Sequence, residues 1–82
     1  MIVYQKCVTF KVMGEEIHLY SEELQHGRNT VAEINDRYHH MGDEPANVAT
    51  AIFAWQEVKG QELSSEELHQ VMVDNNLISQ GV

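Results

Sequence analysis

From Ile2 to Val12 the side chains alternate, with Tyr4, Val8, Phe10 and Val12 on one side and Gln5, Cys7, Thr9 and Lys11 on the other. A period of two predicts a strand. Gly14-Glu15 then has glycine first, as a type II′ turn requires, and predicts a hairpin pairing Val12 with Ile17, Lys11 with His18 and Phe10 with Leu19. The second strand, Glu16 to Tyr20, is shorter than the first, which leaves the edge Tyr4, Gln5, Lys6 and Cys7 without a partner. Two segments could cover it: Leu77-Ile78 returning as a third strand, or the same edge of a second copy in a homodimer.

Beyond Tyr20 the period changes to that of helices. Ser21 caps a short turn through Glu22, Glu23 and Leu24 that Gly27 stops. Thr30 and Glu33 have the spacing of a capping box, and Val31, Ile34, Tyr38 and Met41 follow at helical intervals up to Gly42. Asp43, Glu44 and Pro45 open the next helix and Gly60 closes it. Its residues Val48, Ala49, Ala51, Ile52, Phe53, Ala54, Trp55 and Val58 are apolar nearly all round, which predicts a central helix contacted on more than one side. Ser64 with Glu67 is a second capping box, flanked by Leu63 and Leu68, so a last helix starts near Ser65. Its inner stripe is Leu68, Val71, Met72 and Asn75, and after Asn75-Asn76 the Leu77 and Ile78 side chains fold back on the core.

The pattern therefore predicts one α+β domain over residues 1–82. An N-terminal antiparallel β-hairpin, residues 2–20, packs on three α-helices, or four with the short one, in residues 21–78. An 82-residue chain that is 43% hydrophobic supports one core with no room for a separate, enclosed active site, so function belongs on the surface.

Charge narrows the classes. Thirteen Asp and Glu against five Lys and Arg give a net charge of −8, which repels nucleic acid and anionic membrane and attracts a protein partner with a basic surface. Lys6, Lys11, Arg28, Arg37 and Lys59 are scattered and form no basic stripe. The single cysteine, Cys7, has no intramolecular disulfide partner, and Lys6 interrupts the N-terminal apolar run, so a reducing cytoplasm is expected. His18, His26, His39, His40 and His69 show no metal-ligand spacing, and His39 and His40 fit the last turn of the second helix, where a cation complements the dipole. Cys7 has no base beside it in sequence, and no cofactor, metal or catalytic residue is expected.

Much of the acid has a structural reason, because Glu22, Glu23, Glu33, Asp43, Glu44, Glu66 and Glu67 lie in or beside predicted first turns. The expected partner contacts are Glu15, Glu16, Glu22 and Glu23 around the hairpin turn and short helix, with Glu57, Glu62 and Asp74 adding to the field. Trp55 and Tyr38 are read as core, and Tyr4 and Tyr20 as surface. In size and charge alone, the chain is similar to small acidic inhibitors that mobile elements and phages use against nucleic-acid-binding defence proteins. The expected role is a small acidic protein-binding module, an inhibitor or regulator that occupies the basic surface of a nucleic-acid-handling protein. The alternative is an assembly protein that homo-oligomerises through its first strand, and the third is a metal-binding protein or small enzyme.

Overall fold

The computed structural model describes residues 5–78. Four strands come first: β1 Gln5–Val12, β2 Glu15–Leu24, β3 Gly27–Ile34 and β4 Arg37–His40. They form one antiparallel meander in the order β1-β2-β3-β4. Two helices follow, α1 Val48–Lys59 and α2 Ser65–Asp74. The α+β class stands, but the hairpin-and-three-helix arrangement does not, since the segment expected to hold two more helices is sheet.

The predicted short helix at Ser21–Leu24 is the far end of β2, paired residue for residue with Gly27–Thr30. The predicted helix from Thr30 to Met41 is the β3–β4 hairpin. Its turn is Asn35-Asp36, where both residues have positive φ, 52° and 63°. That is the left-handed conformation a type I′ turn needs, and Asn and Asp tolerate it best among non-glycine residues. β-branched Thr30, Val31 and Ile34 then favour strand over helix around the turn. His39 and His40 consequently lie on a strand and have no helix terminus to complement.

The first hairpin exists, with a different turn and register. Met13-Gly14 is the two-residue loop, with φ of 52° and 83°, a type I′ geometry in which Gly14 carries its positive φ without strain. Val12 therefore pairs with Glu15, Phe10 with Ile17 and Val8 with Leu19, two residues from the expected pairing. Because β2 has ten residues, Gln5 and Lys6 also have partners, Ser21 and Tyr20, and the first half of β1 is not left single. A bulge between Lys6 and Val8 shifts the register there. Tyr4 lies outside the described residues.

Strand alternation sends Phe10 and Val12, Ile17 and Leu19, and Thr30, Ala32 and Ile34 to one face. Onto this face α1 packs across β1, β2 and β3, while α2 packs against β1. Ala51, Ile52, Ala54 and Trp55 from α1, with Leu63 and Val71, close the core. Trp55 is 4% exposed, as its position on the inner stripe predicts, and truncating so large a buried ring would cost about 3–5 kcal/mol. Asn47 caps α1, its side chain accepting from the Thr50 amide at 3.0 Å, so the helix begins after Asp43–Pro45 rather than at them. The α2 capping box forms as predicted: Ser64 accepts from the Glu67 amide and Glu67 from the Ser64 amide.

The C-terminal end of α2 secures the sheet in a way the sequence pattern did not announce. Asn75 accepts from the Lys11 amide at 2.9 Å and donates to the Lys11 carbonyl at 2.8 Å, as a neighbouring strand would. It also donates to the Val71 carbonyl. Leu77 and Ile78 are 48% and 43% exposed and neither add a strand nor return to the core. Asn75→Ala should therefore lower stability by about 1–2 kcal/mol, the loss of paired backbone bonds, in urea unfolding. An unchanged midpoint would mean that the clip contributes nothing to the fold.

Candidate partner-binding surface

The central helix is not enclosed on all sides. Ala49, Phe53 and Glu57 recur every four residues on its outer face, and Phe53 is 53% exposed. A large apolar ring held half in water on a rigid helix is the informative exception to the apolar pattern that predicts contacts to α1 on more than one side.

Phe53 stands between two grooves. The first, about 420 Å³, runs between α1 and the segment leading into it, with Met41, Glu44 and Asn47 on one wall and Ala49, Phe53 and Glu57 on the other. His40, at the end of β4, also lines it. Two buried threonines hold the segment wall in place. Thr30 receives the Met41 amide on its carbonyl at 2.7 Å, donates its amide to Gly42 and its hydroxyl to the Glu44 carbonyl. Thr50 donates its hydroxyl to the Pro45 carbonyl. With their hydroxyls satisfied, these threonines cost little to bury and fix the position of Glu44 relative to α1.

The second groove, about 280 Å³, lies on the other side of Phe53 and Glu57, against Gly60, Gln61 and Glu62. Gly60 ends α1 with a φ of 67°, its amide donating to the Gln56 carbonyl. The Gln56 side chain then accepts from the Leu63 amide at 3.0 Å, which pins the connector carrying Glu62. The charged residues lining the two grooves are Glu44, Glu57 and Glu62, and neither lining contains Lys or Arg. An apolar anchor bordered by like-signed carboxylates suits a partner that is apolar at its centre and cationic around it.

The other expected contact residues are dispersed. Glu15 and Glu16 are consecutive on a strand and take opposite faces, as do Glu22 and Glu23, and six strand residues or more, roughly 20 Å, separate the pairs. Glu15 is engaged: its Oε1 lies 2.8 Å from Lys59 Nζ. Glu16 approaches His18 at 3.8 Å, Asp74 accepts from Gln70 at 2.7 Å, and Glu23 is exposed opposite Arg28. Of the seven, Glu57 and Glu62 are brought together. Glu44 and Phe53 joined them unannounced, Glu44 having been assigned to a helix start and Phe53 to the core. The single available signal was that a helix apolar all round, in so small a chain, lacks enough neighbours to cover it.

The opposite face of the sheet carries a polar network. Tyr20, expected at the surface, donates its hydroxyl to Glu33 at 2.8 Å, and its ring lies 6.2 Å from that of Tyr38. Tyr38, expected in the core, is 57% exposed, because it sits on β4 with its ring on the side away from the helices. Thr9 bonds to His18 at 3.0 Å and Asn29 to His40 at 3.4 Å. Among the described residues no three His, Cys, Asp or Glu side chains gather as metal ligands, and no helix is long and apolar enough to cross a membrane.

Glu33 holds the Tyr20 phenol above its ordinary value of 10.0, first by accepting its hydrogen bond, with desolvation and the Glu33 charge acting in the same direction. The neutral phenol is thus favoured in the folded state. Its stabilisation is fully present below the unfolded value of about 10, at which half of unfolded tyrosine is ionised, and is lost as pH rises through the higher folded value. Ring NMR should show Tyr20 titrating above free tyrosine and moving down in Glu33→Gln. A Tyr20 midpoint insensitive to that substitution would remove Glu33 as the cause.

No protein family, curated protein or solved structure matches this chain.

Proposed function

We propose that this chain is a protein-binding module that receives a basic partner on the outer face of α1 and regulates that partner by occupying its surface. The observation that supports the reading is the half-exposed Phe53 ring between two grooves whose charged lining is Glu44, Glu57 and Glu62. Aromatic side chains in such settings are frequent binding anchors, and surrounding charges steer encounter and reject wrong partners. The net charge of −8 extends the same preference over the whole molecule. Proteins that handle nucleic acid present surfaces suited to this field, and a bound acidic domain competes there with phosphate. Inhibition of such a protein is the form of regulation the electrostatics favour.

Assembly through the free edge of β1 has less support. The bulge between Lys6 and Val8 and the Asn75 clip at Lys11 are both features that blunt an edge against strand addition.

The test is affinity capture from native lysate at low and moderate salt, with the chain, Phe53→Ala and a Glu44→Gln, Glu57→Gln, Glu62→Gln variant as baits. A basic partner held by the chain should bind Phe53→Ala about 30-fold more weakly, the effect of losing a 2 kcal/mol anchor. The triple variant should bind more weakly at low salt and with a flatter salt dependence. Phe53→Ala should unfold within about 1–1.5 kcal/mol of the parent, since the ring is only half-buried. Equal capture by all three baits would refute the assignment of this face.

A further inference from the structure

We infer that the open face of the sheet carries a second, separate site, formed by the rings of Tyr20 and Tyr38 and the carboxylate of Glu33, that binds the guanidinium of an arginine side chain on a protein partner.

Three adjacent strands bring these groups together. Glu33 on β3 pairs directly with Tyr38 on β4, while Tyr20 on β2 pairs with Val31, two residues before Glu33. All three side chains share the face turned away from the helices. The two rings are 6.2 Å apart and tilted by 57°, so they do not stack on one another flat and ring surface remains open. Val31 between Tyr20 and His40 is fully buried although it faces away from the core, which gives this site an apolar floor.

Glu33 supplies the charge. Its Oε1 accepts the Tyr20 hydroxyl at 2.8 Å, a bond that fixes the carboxylate relative to the ring. A carboxylate offers about four acceptor positions, so one phenol leaves room for more donors. Guanidinium is the group that uses both parts, since it is planar enough to lie on an aromatic face and presents paired N–H donors to a carboxylate. An ammonium carries its charge at a point and cannot do both as well. Glu16 and Glu22 lie on the same face of β2 and add to its negative field. Among residues whose side chains are described, the cation on this face is Lys11, opposite Glu16.

This site does not rest on the α1 surface, because the sheet lies between them and their residues do not overlap. A bracing role alone would leave the Tyr20–Glu33 bond in place with no affinity for a cation. The discriminating experiment is titration of the full chain with argininamide, lysinamide and the neutral isostere citrullinamide, followed by tyrosine ring NMR. The expected result is a saturable shift at Tyr20 and Tyr38 with argininamide, several-fold weaker binding of lysinamide and none of citrullinamide. Glu33→Gln and Tyr38→Ala should each abolish saturation while the Trp55 indole resonance stays in place, and Tyr38→Phe should retain it. No saturation, an equal response to citrullinamide, a preference for lysinamide, or binding that survives both Glu33→Gln and Tyr38→Ala would each overturn the site.

Discussion

The fold depends on one contact, the laying of α1 across a single face of the sheet. Ile17, Leu19, Ala32 and Ile34 from the strands meet Ala51, Ile52, Ala54 and Trp55 from the helix, and this small set is most of the core. Among the described residues there is no second layer of helices on the other face. The sheet must therefore hold that face by cross-strand pairs, and the Tyr20, Glu33, Tyr38, Thr9 and His18 side chains serve this purpose. The helix likewise has a partner on one side and water on the other.

Both proposed surfaces follow from that economy. One arises where α1 has no covering layer, and its geometry is set by loops tied down at Thr30, Thr50 and Gln56. The other arises where the sheet has no covering layer. His40 lies at the border between them, since it lines the groove beside Phe53 and also bonds to Asn29 from β4.

The sequence disclosed those elements whose local chemistry and long-range packing agree. The β1–β2 hairpin has alternation and a glycine in its turn, α2 has its capping box, and Trp55 lies on a stripe with Ile52 and Val48. Residues 30–41 read as helix because Val31, Ile34, Tyr38 and Met41 satisfy a helical period, while Thr30, Ala32 and Ile34 satisfy a strand period. Local pattern alone does not separate the two. The Asn35-Asp36 turn was the deciding signal, and a glycine-free type I′ turn is easily passed over. The first turn lies one residue earlier than its glycine suggests, which moves the pairing by two, and local pattern does not reveal this because apolar Phe10 still falls opposite apolar Ile17. The candidate surface is legible in the sequence only in part. Glu57 and Glu62 stood out by charge, but the exposure of Phe53 depends on how many layers the fold has, which no local window encodes.

Both proposed surfaces require residues 27–40 to be a hairpin with one face against α1 and the other open. The direct measurement is the pattern of nuclear Overhauser effects in an assigned NMR spectrum. Cross-strand Hα–Hα contacts between Leu19 and Ala32 and between Glu33 and Tyr38, the non-hydrogen-bonded pairs set by two-residue turns, are the predicted result. Helical contacts between residues three apart from Thr30 to Met41, with no cross-strand signals, would contradict it and remove both surfaces at once.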